Sequence, residues 1–198
     1  VIADELATLL TSLKIITPII VGHSMGGMLA QVFASKYEHL CAGLILSCTH
    51  KGYGKQINTS LDDKFTQRLK ERQNMNDHEF GKIRVNKMLP DKISTKTHEF
   101  LSIIAGEMSL EGIKCSSMAI QYLDTSKYLE TINVPILIIT SEKDVVVKAS
   151  AKDALERALP KASIKRLAGV GHAPYCEDPE SFNKTIEHFI YDTLKVAG

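Results

Sequence analysis

The chain has 198 residues, of which 44% are hydrophobic and 24% are charged, with 24 Lys and Arg against 23 Asp and Glu. These values are typical of one globular unit with a real core, and they exclude global disorder. A net charge of +1 produces only a weak long-range field, so charge gives no support for nucleic-acid binding.

The first 14 residues predict an amphipathic helix and not a signal peptide. Their apolar residues recur at helical spacing, and Asp4 and Glu5 lie among them. No stretch approaches the roughly 20 apolar residues that a membrane-spanning helix needs. The cysteines show no Cys-x-x-Cys spacing, which favours reduced thiols. We therefore expect a cytoplasmic protein that does not act at a membrane.

A strand, a sharp turn and a helix follow. Residues 18–22 are apolar and rich in β-branched side chains, which predicts a strand buried on both faces. Residues 25–36 have apolar positions at helical spacing, so the glycines between these two elements fall in a tight turn. Residues 42–47 are the next predicted strand. Two apolar strands joined by a helix predict a parallel βαβ unit with a right-handed crossover.

The pattern then changes to charged, helix-forming segments without β-branched runs. We expect residues 51–128 to form a helical cap inserted into a core made of residues 1–50 and 129–198. Predicted helix starts within the insertion are the sequence Ser60-Leu61-Asp62-Asp63, Ser94 and Ser109.

The sheet pattern resumes after the insertion. Residues 134–139 are an apolar strand opened by a proline, and a helix over 148–159 follows. Residues 163–167 predict a short strand that leads into a glycine-rich turn, and Pro179 starts the last helix. The predicted fold class is α/β, a mostly parallel sheet flanked by helices.

Ser24 lies in the pattern Gly22-x-Ser24-x-Gly26, between a predicted strand and a predicted helix. This context predicts a nucleophile elbow, in which the serine stands on a strained turn. We expect Gly22 and Gly26 to be glycine because side chains there would collide as the strand passes the helix. The Met25 amide, at the helix N-terminus, is the predicted oxyanion-hole donor. A glycine-rich turn that only links strand and helix is the alternative.

A serine nucleophile needs a base and a third group that orients this base. His172 is the predicted base because, of the seven histidines, it alone lies in a glycine-flanked turn just beyond a strand. His23 is predicted to be a packed neighbour of the serine. Both Glu142 and Asp144 follow the third strand and could orient an imidazole. Asp144 is preferred because it leads into the next helix, and Glu142 is expected to be solvated.

Residues 22–31, Gly-His-Ser-Met-Gly-Gly-Met-Leu-Ala-Gln, resemble the nucleophile elbow of the α/β-hydrolase superfamily, particularly its esterase, enol-lactonase and carbon–carbon hydrolase branches. The chain order serine, acid, histidine is also that of this fold. Residues 129–135 resemble the family's entry to the acid strand, and residues 169–179, which include Glu177, resemble its histidine loop. The insertion lies where the family carries a helical cap. Ser141 departs from the family pattern, in which glycine is usual.

The resemblance also implies that the fold is truncated at its N-terminus. Family members begin with several further strands, and one of their loops supplies a second oxyanion amide, which we expect to lie outside this chain. The strand of residues 19–21 would then be an exposed sheet edge, open to oligomerisation or aggregation. Loss of one oxyanion donor lowers rates by about two to three orders of magnitude, so we expect weak turnover.

A serine in place of an aspartate disfavours haloalkane dehalogenase and epoxide hydrolase chemistry. The predicted activity is hydrolysis of a small-molecule carboxylic ester or lactone through an acyl-enzyme, without metal or cofactor. Carbon–carbon bond hydrolysis, acyl transfer and perhydrolysis use the same triad and stay open, as does a non-catalytic receptor or interaction module.

One part of the insertion, residues 51–100, holds more Lys and Arg than Asp and Glu. A solvated helical face explains this excess more simply than a cap that admits acidic substrates. The prominent cations are Lys64, Arg68, Lys70, Arg72, Lys82, Arg84 and Lys87.

Overall fold

A computed structural model describes residues 1–89 and 93–196 of the chain. Its described residues form a four-stranded sheet in the order β1-β2-β3-β4, in which every neighbouring pair is parallel. The strands are β1 (Ile19–His23), β2 (Gly43–Ser47), β3 (Ile136–Ser141) and β4 (Ser163–Leu167). The α/β class with a mostly parallel sheet is confirmed.

Helices precede, join and follow the strands. They are α1 (Ile2–Ser12), α2 (Met25–Lys36), α3 (Asp63–Asn74), α4 (Asp77–Met88), α5 (Thr95–Gly106), α6 (Leu110–Tyr122), α7 (Ser126–Leu129), α8 (Ala149–Ala158), α9 (Pro174–Glu177) and α10 (Pro179–Val196). None of the helices in the described ranges combines the length and the apolar character that a membrane span requires.

The central strands place side chains alternately in two apolar layers. Leu44 and Leu46 pack on one face with residues of α1, α2 and α8, whereas Ile45 packs on the other face with residues of α10. β2 and β3 are therefore buried on both faces, as expected of a parallel sheet covered by helices. For β1 the same prediction is wrong, because Val21 is 51% exposed. In the described sheet β1 pairs only with β2, which leaves its other edge open.

The insertion between β2 and β3 contains two closely packed helix pairs, α4 with α5 and α3 with α6. Ser94 and Ser109 cap their helices as predicted, since their hydroxyls accept from the amides of Thr97 and Gly112 at 3.1 and 3.0 Å. The predicted start at Ser60 is wrong. α3 begins at Asp63, and no side chain caps it, because the preceding Asp62 carboxylate pairs with Lys55 instead.

Candidate active site

Ser24 connects the carboxyl end of β1 to the first residue of α2 through a strained backbone conformation, with φ 52° and ψ −122°. A non-glycine residue held in such a region costs about 1–3 kcal/mol, so its surroundings must hold it there. The Ser24 amide donates to the Ser47 carbonyl at 3.0 Å, and its own carbonyl accepts from the Gly27 amide at 3.0 Å. The Thr49 hydroxyl donates to the same carbonyl at 2.5 Å. These bonds connect the turn to the end of β2 and fix the serine backbone.

The glycines that are sterically required in the turn differ in part from those that the sequence predicted. A Cβ at Gly22 would lie 2.6 Å from the Gly27 Cα and 2.7 Å from the Ala30 Cβ, so the predicted collision is real there. A Cβ at Gly26 would meet nothing within 4 Å, and the steric reason given for that position is wrong. The second tight position is Gly27, where a Cβ would approach the Thr49 side chain to 2.6 Å.

The structure brings together Ser24, His172 and Asp144, which the sequence places on three separate segments. His172 Nε2 lies 3.0 Å from Ser24 Oγ, and His172 Nδ1 lies 3.1 Å from Asp144 Oδ1. The side chains of His172 and Asp144 are 3% and 0% exposed. Such a series of contacts can move a proton from the serine hydroxyl to the imidazole while the carboxylate fixes the ring.

The surroundings of Asp144 keep its carboxyl group ionised. Burial opposes ionisation, but bonds with His172 and with the amides of Val147 and Val146 outweigh it and hold the Asp144 pKa below its usual range. The two amides donate to Oδ1 at 3.1 and 2.8 Å. Lys152 Nζ lies 3.7 Å from Oδ2, which adds a favourable charge. At neutral pH His172 therefore faces a carboxylate.

Two acidic residues hold the turn that carries His172. Glu177 accepts from the Gly171 amide at 2.7 Å and from the Ala173 amide at 2.9 Å, on either side of the histidine. Glu142 accepts from the Gly169 amide at 2.8 Å. Glu142 is exposed as expected, but it also anchors this turn, which the sequence did not indicate. For Glu177 the available signal was its place in the resemblance to the histidine loop.

His23 and Cys48 are close neighbours of the three residues. His23 Nε2 lies 2.7 Å from the His172 carbonyl, to which it donates, and the two rings are 4.8 Å apart. His23 is thus the packed neighbour that the sequence predicted, and burial lowers its pKa to about 4. Burial raises the pKa of the Cys48 thiol to about 11.

The Cys48 sulfur and donor atoms of Asp144 and His172 lie within 4.8 Å of one another, which is close enough for a shared metal ion. Cys48 Sγ lies 3.2 Å from the Ser141 hydroxyl, and His172 Nδ1 lies 3.1 Å from Asp144 Oδ1, so each of the three residues already has a hydrogen-bond partner. This donor set fits a metal poorly.

A cavity of about 300 Å³ opens over Ser24 and Met25, the predicted oxyanion donor. Its walls come from α3, α4, the start of the insertion and the loop that follows β3. His50, to which the sequence assigned no role, lines it, and its Nδ1 accepts from the Gly52 amide at 2.9 Å. A second depression of about 370 Å³, beside β4 and α10, shares no lining residue with this cavity.

Several proteins are similar to this chain along most of its length. The AB hydrolase superfamily protein YisY of Bacillus subtilis is 24% identical over 195 residues, which cover 94% of this chain and 71% of YisY. Human monoacylglycerol lipase ABHD6 is 28% identical over 196 residues, which cover 86% of this chain and 54% of the lipase. The chain thus spans little more than half of the human protein.

Solved structures show the same fold at lower identity. The esterase EaEST from Exiguobacterium antarcticum superimposes with a TM-score of 0.84 at 17% identity, over 96% of this chain and 72% of the esterase. The enol-lactonase from Burkholderia xenovorans LB400 gives 0.79 at 18% identity, over 96% of this chain and 71% of the lactonase.

The family model that matches the chain, Hydrolase_4, is described as serine aminopeptidase, S33, and it covers residues 4–179. That range includes the strand-to-helix turn at Ser24, the loop of Asp144 and the turn of His172. The chain therefore belongs to this family of hydrolases, within the α/β-hydrolase superfamily.

Proposed function

We propose that the chain is a serine hydrolase that cleaves a small-molecule carboxylic ester or lactone through an acyl-enzyme. The observation that carries this proposal is the series of contacts from Ser24 Oγ through His172 to Asp144, at 3.0 and 3.1 Å. The similar proteins include an esterase, a monoacylglycerol lipase and an enol-lactonase, and their names support the same reaction class.

In the proposed reaction Ser24 Oγ attacks the substrate carbonyl carbon while His172 Nε2 takes the hydroxyl proton. The carbonyl oxygen becomes an oxyanion, and the Met25 amide donates to it, since the first amides of a helix have no acceptor within the helix. His172 then gives the proton to the leaving alkoxide, and an acyl ester of Ser24 remains. Water attacks this ester as His172 takes one of its protons, which then returns to Ser24 as the acid leaves.

We also propose that residues 51–128 act as the cap of this site. α3 and α4 supply much of the cavity wall opposite the turn at Ser24. A cavity of about 300 Å³ lies at the small end of the range for ligand sites, which favours a small substrate.

The family description includes aminopeptidases, and the basic lining of the cavity disfavours that activity here. An aminopeptidase must bind the ammonium group of a peptide N-terminus, which lining cations repel. The acidic side chain that lines this cavity, Glu71, accepts from Lys87 at 2.5 Å and from Gln67 at 3.1 Å through Oε1, and its buried Oε2 has no hydrogen-bond partner in the described part of the chain. Because four lining cations outnumber this one carboxylate, we expect turnover of 4-nitrophenyl esters and none of leucine 4-nitroanilide.

Covalent labelling tests the proposal. A fluorophosphonate should add its mass to the protein, Ser24→Ala should abolish the addition, and His172→Ala should slow it by about three orders of magnitude or more. Ser12→Ala, on the exposed face of α1, is the matched control and should label like the unaltered chain. Labelling that persists in Ser24→Ala would refute the assignment, and a protein that never labels would be a non-catalytic module.

A further inference from the structure

The cavity over Ser24 has a strongly basic wall. Four of the prominent cations of the insertion line it, Lys64 and Arg68 from α3, and Arg84 and Lys87 from α4. Against these four stands one lining carboxylate, Glu71, which is 8% exposed; its Oε1 accepts from Lys87, and its Oε2 has no hydrogen-bond partner in the described part of the chain. The expectation that a solvated helical face explains the basic excess is therefore incomplete, because these four cations face the cavity.

Two of these cations, Arg68 and Arg84, share one counter-charge, the Glu71 carboxylate. Among residues 1–89 and 93–196, neither Arg68 nor Arg84 forms an ion pair. Arg68 Nε is buried and has no hydrogen-bond partner in the same part of the chain. Arg72, one helical turn along α3, shows the contrast, since it donates to Asp77 and to the Met108 carbonyl at 2.7 Å and does not line the cavity.

The proximity of the two arginines is itself unfavourable without a bound anion. Burial, and then repulsion from Arg68, lower the pKa of Arg84 to about 10, although the Glu71 charge opposes this effect. Both guanidinium groups stay charged at neutral pH. A buried donor without an acceptor destabilises the folded state, so the free protein carries an unsatisfied site here.

A substrate carboxylate would supply the anionic hydrogen-bond acceptor that Arg68 and Arg84 lack among the described residues. Its two oxygens match the paired N–H groups of a guanidinium, and its charge compensates the arginines in a partly desolvated cavity. A neutral or cationic group would leave Glu71 as the single charge in the described ranges that compensates Arg68 and Arg84.

We propose that the ester or lactone substrate carries a carboxylate, which Arg68 and Arg84 bind while the scissile carbonyl lies against Ser24. The inference rests on the proposed function and names its substrate class. Lys64 and Lys87 add positive charge at the exposed rim, where they attract an anionic substrate.

The test compares two esters of equal chain length. Mono-4-nitrophenyl adipate ends in a carboxylate, and 4-nitrophenyl hexanoate ends in a methyl group. We expect kcat/KM to be at least about 10-fold higher for the adipate ester, mainly through a lower KM. Arg68→Gln and Arg84→Gln should each lower this ratio by about 10-fold or more. Lys70→Gln, which removes an exposed charge of α3 outside the cavity, is the control and should leave the ratio unchanged.

Binding measurements separate this inference from the proposed function. Calorimetry should show that adipate binds the unaltered protein and that its uncharged analogue adipamide binds at least about 10-fold more weakly, with adipate binding lost in Arg68→Gln. If both esters react equally well and neither arginine variant changes the ratio, the carboxylate site is refuted while the hydrolase proposal stands. If Ser24 does not label and neither ester reacts, the hydrolase proposal fails. In that case adipate binding alone tests the carboxylate site, and equal binding of adipate and adipamide refutes that site.

Discussion

The carboxyl end of the sheet, which holds Ser24, and the helical insertion that faces it are built in different ways. At the carboxyl end of the sheet, backbone geometry places short side chains, as the strained turn of Ser24 and the two amides bound by Glu177 show. In the insertion, long side chains such as those of Arg68 and Arg84 reach the cavity from helix surfaces. A fixed backbone holds reacting atoms in place, whereas long cationic side chains select what enters. Under the proposed function, reaction type and substrate choice are encoded in separate segments of this chain.

The largest effect should come from the residue that orients the proposed base. Asp144→Asn keeps the shape of the side chain but removes the charge next to His172 Nδ1, and we expect kcat to fall by about 10³- to 10⁴-fold for every ester. Glu142→Gln changes the other acid of the same loop and should lower kcat by less than about 10-fold, because it bonds to Gly169 and not to His172. Steady-state kinetics with mono-4-nitrophenyl adipate and 4-nitrophenyl hexanoate measure kcat for the two variants. A larger loss of kcat in Glu142→Gln than in Asp144→Asn would show that Glu142, and not Asp144, orients His172.

The next effect concerns the glycines of the turn. It tests whether backbone packing at the carboxyl end of the sheet fixes the position of Ser24. Gly22→Ala forces a methyl group against Gly27 and Ala30 and should lower the free energy of unfolding by about 1–3 kcal/mol. Gly26→Ala enters open space within α2 and should leave stability equal or raise it by up to about 1 kcal/mol. Urea unfolding of the two variants tests the contrast, and equal destabilisation would show that the packing around Gly22 does not limit the turn.

The third effect is a pH dependence that belongs to the carboxyl end of the sheet and not to the insertion. Because burial depresses the His23 pKa from 6.5 to about 4, the unfolded chain binds a proton in this range that the folded chain resists. Stability should therefore be complete above pH 6.5 and fall by up to about 3 kcal/mol as pH drops towards 4.

Two histidine variants isolate this contribution. His23→Gln keeps a donor for the His172 carbonyl and should flatten the pH slope of the unfolding free energy. His78→Gln, on the exposed surface of α4, should keep the slope of the unaltered chain. Urea unfolding at pH 7.0, 5.5 and 4.5 measures the slopes. An unchanged slope in His23→Gln would mean that other groups produce the acid sensitivity.

Much of the fold was predictable because its signals are local. Apolar β-branched runs predicted the strands, and the strand-to-helix pattern around Ser24 predicted a turn that projects one side chain. Parallel strands end at the same sheet edge, so Asp144 and His172, which both follow strands, were expected near Ser24. The structure places them there at hydrogen-bond distances. The roles of these residues and the cap boundaries at 51 and 128 stay predictions.

Other features depend on segments that are distant in the sequence. Gly27, and not Gly26, is the crowded glycine because its neighbour Thr49 comes from beyond β2, and no pattern within the turn contains that contact. The position of β1 at one edge of the described sheet follows from strand order, which local hydrophobicity does not encode and which only the family resemblance indicated.

By itself, the sequence determined where the strands and the helices that flank the sheet form, and which chemically competent residues stand at the ends of the strands. Only the tertiary structure decided which cations of the insertion face Ser24. Periodicity shows that α3 and α4 carry many charges, but the direction in which Arg68 and Arg84 point depends on how these helices dock over the sheet. Helix docking is set by packing between segments far apart in the chain, and for this reason the sequence indicated the proposed reaction before it indicated the proposed substrate.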